Sequence, residues 1–158
     1  MATNSLVLIE NGRNVLSNFA YAPFVADGLL YLTIEQYVCI QKAKYFKAHA
    51  LCATLFCTRS PRKCKEITQD LDQIDCNDWV SVSDEFVYGG LKEKFSQNKA
   101  ARDALFKARG QVIVNCDKFD KVWGVGFDAN DPRLQDKNCW GQNKLGNMLM
   151  QLCIEMFN

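Results

Sequence analysis

The sequence is short of the features that mark metal-binding, secreted and membrane proteins. Among its 158 residues there is one histidine, and no two cysteines have the CxxC spacing of a zinc or redox site. No segment approaches the roughly 20 consecutive apolar residues of a membrane-spanning helix. The first residues, MATNSLVLIEN, lack the basic start and apolar run of a signal peptide. We therefore expect an intracellular protein, cytoplasmic or else nuclear, that does not act on membranes.

The chain also lacks an excess of charge of either sign. The chain has 19 Lys and Arg against 18 Asp and Glu, a net charge of +1, which excludes the broad basic surface of a non-specific nucleic-acid binder. Cysteine, by contrast, is abundant, with eight residues. Several of them fall on predicted apolar faces, where cysteine acts as a small hydrophobe. We predict free thiols in a reducing compartment.

The apolar pattern predicts an α+β fold, helix-rich, with one small β-sheet. Hydrophobic residues make up 48% of the chain, and its length suits a single domain over residues 1–158. Short strands are predicted at 6–10, 29–32 and 111–115, and irregular structure at 14–28 and 123–143. Helices are predicted from Thr33 to about Lys47, over 49–57, after Ser60-Pro61, after a cap at 77–78, over 98–109 and over 145–156. Gly89-Gly90 interrupts the fourth of these and indicates close helix packing or a kink.

The first predicted helix aims two charged residues at its apolar side. In IEQYVCIQKAKYF, residues 34–46, a wheel of about 100° per residue puts Glu35 and Lys42 within the apolar stripe. Gln36 falls on the polar side, and with Thr33 it forms a T-x-x-Q capping box. Because a buried unpaired charge is costly, each charged residue either lines a ligand site or pairs within the fold. The helix alone leaves both interpretations open.

The stretch FDKVWGVG, residues 119–126, follows the last predicted strand. It offers Asp120 as a carboxylate and Trp123 as a flat surface for a base or sugar. Gly124 and Gly126 would let the backbone approach a ligand closely. The alternative is an ordinary turn with the tryptophan in the core.

The stretch WGQNKLGNMLM, residues 140–150, opens the last helix. Helix N-termini carry free N–H groups and a positive dipole end, which suit a phosphate. Gly141, Asn143 and Lys144 would hold a diphosphate there. The alternative is simple capping, with Gly146 serving tight packing.

Taken in order, these stretches resemble the NADAR domain family of N-glycosidases. The resemblance covers about residues 15–153, and its specificity comes from the order of the motifs. The family pattern on the first helix reads like E-H-x-[FY]-Q-A-x-K, so Glu35 and Lys42 match its ends while Gln36 stands where His is common. The motifs are LSNF (16–19), PFVADG (23–28), Glu35-Gln36-Tyr37 with Gln41-Lys42, Trp79, Lys94-Phe95, Asp120 with Trp123-Gly124-Val125-Gly126, and WGQNKLGNMLM.

The resemblance implies a NADAR-like fold and a hydrolase that cleaves N-glycosyl bonds in nucleotide-like substrates. One substrate class is ADP-ribose on the exocyclic amine of guanine, in DNA, RNA or a nucleotide. The other is the ribosylamino-pyrimidine intermediates of riboflavin synthesis. We favour ADP-ribosylated guanine, because the flat ring of Trp123 and a helix start that suits a phosphate both fit ADP-ribose. A non-catalytic ADP-ribose-binding module is the third hypothesis, and it would need no buried Glu35 and Lys42.

Within this hypothesis Glu35 transfers a proton to the departing amine, and an apolar setting would help it hold that proton. Lys42 either orients the ribose or a phosphate as a charged group, or attacks the ring-opened sugar to form a Schiff base. Asp120 is the second candidate for a catalytic carboxylate. We expect no cofactor and no metal, and the oligomeric state is left open. The predicted substrate-binding residues are Ser17, Asn18, Phe19, Tyr37, Trp79, Trp123, Gly124, Gly126, Gly141, Asn143, Lys144 and Gly146.

Overall fold

The structure, a computed structural model, describes residues 5–74 and 76–158, and for Cys76 only the backbone. These residues form two compact units. The first is the described part of Met1–Ser17 together with Ala100–Asn158, and the second is Asn18–Lys99. The single domain expected over residues 1–158 stays a prediction. In the described residues no helix is both long and apolar enough to cross a membrane.

The α+β, helix-rich fold predicted from the sequence is confirmed. Over the described residues the strands form two two-stranded sheets, with β1 parallel to β4 and β2 antiparallel to β3. The strands are β1 (Leu6–Ile9), β2 (Phe24–Ala26), β3 (Leu29–Tyr31) and β4 (Val112–Asn115). The helices are α1 (Ile34–Tyr45), α2 (His49–Phe56), α3 (Pro61–Thr68), α4 (Cys76–Gln97), α5 (Lys99–Lys107) and α6 (Lys144–Phe157).

The second unit is built around α1, which contacts α2, α3 and α4. Thr33 caps α1 as predicted, because its hydroxyl accepts a hydrogen bond from the Gln36 backbone N–H at 3.0 Å. The prediction that Gln36 lies on the polar side is wrong, since the residue is 2% exposed. Its amide donates to the carbonyls of Leu55 and Thr58 and accepts from the Leu32 N–H. These hydrogen bonds satisfy a polar side chain in the interior.

A β-hairpin precedes α1; its second strand was predicted at 29–32, whereas irregular structure was predicted at its first strand. Strands β2 and β3 pair so that Phe24 lies opposite Tyr31. Asp27 and Gly28 join them with φ angles of 51° and 76°, and Asp-Gly is the pair typical of a two-residue hairpin turn.

Helix α4 begins at Cys76, one residue before the cap predicted at 77–78, and runs through Gly90 without a break. A Cβ atom on Gly90 would lie 2.8 Å from the ring of Tyr37. The missing side chain therefore lets α1 and α4 approach closely. The predicted interruption is wrong, and the glycine serves close packing.

The first unit contains the β1–β4 pair, with α6 packed on β4. A Cβ atom on Gly146 would lie 2.1 Å from the carbonyl oxygen of Ile113, so α6 contacts the strand backbone to backbone. Part of the segment predicted as irregular forms two short 3₁₀ helices, Pro132–Gln135 and Lys137–Cys139. A hydrophobic core cluster of the first unit consists of Val114, Cys116, Val125, Phe127 and Leu134.

The cysteines with described side chains are free thiols, as predicted. They are Cys39, Cys52, Cys57, Cys64, Cys116, Cys139 and Cys153. The prediction for Cys76 lies outside the described side chains. Four of the seven thiols are buried, which agrees with cysteine acting as a small apolar residue.

Candidate active site

One face of α1 carries Glu35, Cys39 and Lys42 in the second unit. The Cys39 thiol donates a hydrogen bond to Glu35 Oε1 at 3.7 Å. Lys42 is 8% exposed and Glu35 is half-buried. Both charged residues therefore lie beside buried groups, as the helical wheel predicts.

The partners of this face come from the segment at the end of α3. Thr68, the last residue of α3, donates from its hydroxyl to Cys39 Sγ at 3.5 Å. Asp72 lies on the 3₁₀ helix Gln69–Gln73 that follows, and it forms an ion pair with Lys42. One continuous segment thus contacts α1 at two successive positions of the same face.

The thiols under this face are protonated. Burial raises the pKa of Cys39 far above its ordinary value, and the Glu35 carboxylate raises it further. The same two causes raise the pKa of Cys64 to about 11. Because a thiol is nucleophilic only as the thiolate, Cys39 suits the role of hydrogen-bond donor to Glu35 and not that of a nucleophile.

Asn18 lies at the start of α1. Its carbonyl oxygen accepts a hydrogen bond from the Glu35 N–H at 3.0 Å. Its side-chain Oδ1 is buried without a hydrogen-bond partner among the described residues. Such an acceptor is costly to leave unsatisfied, so a ligand donor would gain by reaching it. Phe19 follows, with its ring centre 6.0 Å from Lys65 Nζ, whereas Ser17 is a buried residue of the first unit.

Two aromatic residues predicted to bind substrate belong to the packed interior of the second unit. The ring of Tyr37 lies 5.6 Å from Phe24 and 4.9 Å from Tyr31 between centroids. Trp79 stacks on Phe86 at 5.6 Å and is 8% exposed. These are the contacts of core aromatics, and the binding role of both residues stays a prediction.

In the first unit, Asp120 shapes the loop that follows β4. Its Oδ1 accepts hydrogen bonds from the backbone N–H groups of Val122 and Trp123 at 2.9 and 2.8 Å, the pattern of an Asx turn. A Cβ atom on Gly124 would lie 2.7 Å from the carbonyl oxygen of Asn115. Both residues therefore have a clear structural use, and their roles towards substrate stay predictions.

The start of α6, predicted to hold a phosphate, is bonded to this same loop. Five successive backbone N–H groups, at residues 141–145, donate to carbonyl oxygens of residues 121–125 at 2.7 to 3.2 Å. A Cβ atom on Gly141 would overlap one of these carbonyls at 2.4 Å. Asn143 ties the helix start to β4 through its side-chain amide. Capping and close packing thus account for Gly141, Asn143 and Gly146, and their contact with phosphate stays a prediction.

Trp123 and Lys144 form a partly exposed pair in the first unit. Lys144 Nζ lies 5.5 Å from the Trp123 ring centroid. An aromatic face beside an ammonium suits a base or sugar that carries a phosphate. Gly126 turns the loop near this pair with a φ of 87°, which glycine adopts without strain.

A family model described as the NADAR domain matches residues 9–156. The chain belongs to the NADAR family. Its fold is also that of a solved structure, the NMR structure of the Escherichia coli protein YbiA, at a TM-score of 0.76. The match covers 99% of this chain and 87% of YbiA, with 23% sequence identity. YbiA carries the name N-glycosidase YbiA.

Other relatives of this NADAR chain differ in what their names say. Protein irg-1 of Caenorhabditis elegans is 30% identical over 98% of this chain and 81% of its own length. N-glycosidase R617 of Acanthamoeba polyphaga mimivirus is 28% identical over 77% of this chain and 72% of its own. The chloroplastic riboflavin biosynthesis protein PYRR of Arabidopsis thaliana is 36% identical, over 48% of this chain and 11% of its own length.

Sequence reasoning gave no role to three residues that the NADAR fold places in the second unit. Thr68 and Asp72 contact the Glu35 face of α1, but no local pattern links them to a helix about 30 residues earlier. Lys94 is 0% exposed on α4, and burial lowers its pKa to about 7. Its signal was the Lys94-Phe95 motif, which carried the family resemblance without suggesting a function.

Proposed function

We propose that the protein is an N-glycosidase that removes ADP-ribose from guanine bases of nucleic acid or nucleotides. The observation that carries the proposal is the α1 face on which Glu35 contacts Cys39 and Lys42 is held nearby. Membership of a family whose relatives R617 and YbiA are named N-glycosidases supports the reaction class. The choice of ADP-ribosylated guanine rests on the resemblance of the motifs and on Asn18, Trp123 and Lys144 as ligand groups.

Glu35 is the proposed proton-transfer group. It is half-buried, and its Oε1 accepts a hydrogen bond from the buried Cys39 thiol. As the bond from the ribose C1′ to the guanine amine breaks, Glu35 gives its proton to the leaving nitrogen. Water then adds to C1′ and returns a proton to Glu35. The products are ADP-ribose and the unmodified guanine amine.

Lys42 has two alternative roles in this proposal. As an ammonium it would orient the ribose or a phosphate. As a free amine it would attack C1′ of the ring-opened sugar and displace the guanine amine, which leaves with the proton from Glu35. Water would then hydrolyse the resulting Schiff base to ADP-ribose and the free Lys42 amine. Borohydride separates these roles, because it traps only the covalent adduct.

Each unit offers proposed ligand contacts of its own. In the second unit, Asn18 Oδ1 is a buried acceptor that a ribose hydroxyl or a base N–H would satisfy. In the first unit, Trp123 offers a stacking surface and Lys144 a charge for phosphate. Each set by itself suits a part of ADP-ribose, and each would also serve a ribose phosphate.

The similarity to PYRR, a riboflavin biosynthesis protein, favours a second candidate function. In that case the protein would cleave the N-glycosyl bond of a ribosylamino-pyrimidine, and Glu35 would protonate the pyrimidine amine in the same way. A binding module would use Trp123 and Lys144 without requiring Glu35 for any step. The three hypotheses therefore differ in substrate and in their dependence on Glu35.

The test is to incubate the protein with an oligonucleotide that carries ADP-ribose on guanine and to follow ADP-ribose release by mass spectrometry. Glu35→Gln and Lys42→Met are each compared with a matched substitution, Glu85→Gln on α4 and Lys44→Met on α1, where the side chains are exposed. We expect release by the wild type and both controls. We expect a loss of about 100-fold or more for Glu35→Gln, because general acid catalysis contributes about that factor.

Absence of release would overturn the favoured substrate. Hydrolysis of a ribosylamino-pyrimidine by the same preparation would then establish the second candidate. If neither substrate is cleaved and ADP-ribose still binds in a calorimeter, the binding module is correct. Equal activity of Glu35→Gln and Glu85→Gln would remove Glu35 from the mechanism.

A further inference from the structure

The ion pair between Lys42 and Asp72 joins two very different environments. The Lys42 side chain is 10% exposed, whereas that of Asp72 is 57% exposed. The ammonium thus lies in the interior and its partner reaches it from the surface. An ammonium in such a position needs an opposite charge to remain there, because burial penalises the charged form.

Asp72 reaches Lys42 because the chain is anchored in the interior just before the carboxylate. Leu71, the preceding residue, is 7% exposed and holds the 3₁₀ helix to the core. Thr68, at the end of α3, contacts Cys39 one turn before Lys42 on the same face of α1. The backbone that carries Asp72 is therefore positioned by contacts that do not involve the ion pair.

We propose that Asp72 is a positioning residue that holds the Lys42 amine at the Glu35 face of α1. The inference rests on the proposed function, in which Lys42 acts on the substrate. A lysine side chain has several rotatable bonds and loses considerable freedom when ordered, so a single fixed carboxylate restricts where the amine lies. Without Asp72 the ammonium loses the carboxylate that fixes its position and turns towards solvent.

If the ion pair served only the stability of the fold, its removal would change the melting temperature and not the position of Lys42. Pairs with one largely exposed partner contribute little to stability, and Leu71 and Thr68 would keep the 3₁₀ helix in place. Removing the Asp72 charge should therefore leave the melting temperature nearly unchanged. An effect on Lys42 itself, at unchanged stability, distinguishes positioning from support of the fold.

The chain offers a matched control on the same short helix. Asp70 lies two residues before Asp72 and its side chain is exposed. Asp70→Asn and Asp72→Asn remove the same charge from the same 3₁₀ helix, so general electrostatic effects cancel in the comparison. Asp72→Glu keeps the charge and tests rescue.

The first measurement is competitive labelling of lysines in the folded protein with a trace of acetic anhydride, read by peptide mass spectrometry. We expect acetylation of Lys42 to rise several-fold in Asp72→Asn and to stay at the wild-type level in Asp70→Asn. The second measurement is kcat/KM on the ADP-ribosylated oligonucleotide. We expect a loss of roughly 10- to 100-fold in Asp72→Asn, partial recovery in Asp72→Glu and no loss in Asp70→Asn.

Equal Lys42 labelling in Asp72→Asn and Asp70→Asn would overturn the proposal, whatever the activity. A rise in labelling with unchanged kcat/KM would also overturn it, because Asp72 would then hold an amine that the reaction does not use. If the wild type cleaves no substrate, the proposed function fails. The labelling result still decides in that case whether Asp72 holds Lys42.

Discussion

The Cys39 thiol donates a hydrogen bond to Glu35 Oε1 over 3.7 Å, one turn apart on α1. Cys39 itself accepts a hydrogen bond from the Thr68 hydroxyl at 3.5 Å. A short chain of hydrogen bonds thus connects the end of α3 to the carboxyl group proposed to transfer a proton. We therefore expect the orientation of Glu35 to depend on Thr68, which reaches it through Cys39.

Replacing Thr68 by valine should weaken this chain without changing the shape of the side chain. The hydroxyl is buried and also contacts the carbonyls of Cys64 and Lys65. We expect a loss of about 1 kcal/mol in the free energy of unfolding and a lower kcat with an unchanged KM. Urea unfolding and steady-state kinetics measure the two effects. Thr54→Val, at an exposed position of α2, is the control, and equal kcat values for the two variants would refute the connection.

Lys144 should contribute to ligand affinity through its place beside Trp123. Lys137 is its matched control, because its Nζ lies 5.8 Å from the ring of Trp140 in a similar arrangement. We expect Lys144→Met to weaken ADP-ribose binding about tenfold, as loss of a charge-assisted hydrogen bond would. Lys137→Met should bind as the wild type does. Calorimetric titration with ADP-ribose measures both, and equal affinities would remove Lys144 from the site.

Lys94 should make folding stability depend on pH. Its pKa falls from 10.5 in the unfolded chain to about 7 in the folded protein because of burial. Between these values the unfolded chain binds more protons, so the free energy of unfolding rises with pH, by at most about 1.4 kcal/mol per pH unit. The contribution is fully present above pH 10.5 and is lost as the pH falls to about 7.

Denaturant unfolding between pH 7 and 9.5 tests this contribution by difference. Lys94→Met keeps the length of the side chain and removes the titrating group, so its stability advantage over the wild type should shrink as the pH rises. Lys92→Met removes an exposed lysine of the same helix and should leave the slope unchanged. Parallel curves for the wild type and Lys94→Met would contradict the effect of burial.

Two neighbouring glycines of α4 should respond in opposite directions to alanine. A Cβ atom on Gly90 would lie 2.8 Å from the Tyr37 ring and 3.3 Å from Ile34, whereas a Cβ atom on Gly89 would have nothing within 4 Å. We expect Gly90→Ala to cost about 1–3 kcal/mol through overpacking. Gly89→Ala should stabilise the helix by about 0.5–1 kcal/mol. Thermal unfolding of both variants measures the difference, and stabilisation by both would contradict the close contact of α1 and α4.

Much of the local structure could be predicted, because its causes lie within a few residues. The Thr33 cap, the Ser60 cap of α3 and the extent of α2 are confirmed. The helix α1 was expected from its spacing and was found at Ile34–Tyr45. The strand predicted at 29–32 is confirmed as β3, whereas β2 was missed, because it is only three residues long and its sequence FVA shows no polar alternation.

The candidate site could be predicted only in part. The spacing of Glu35 and Lys42 placed them on one side of a helix, and their contacts with Cys39 and Asp72 agree with that. The glycines of the last two motifs suggested a ligand, yet a Cβ atom on Gly124, Gly141 or Gly146 would meet a backbone oxygen of the chain itself. A glycine pattern records that something approaches closely, but it does not say whether that is a ligand or another strand.

The sequence by itself determined the helical register of α1 and hence the face shared by Glu35, Cys39 and Lys42, because helix geometry follows from neighbouring residues. Tertiary structure alone decided that Asp72 pairs with Lys42, that Gln36 is buried, and that a loop bonds to the start of α6. These contacts join residues about 20 to 30 positions apart in the chain. They depend on how elements pack, and packing leaves no mark in the local periodicity of either partner.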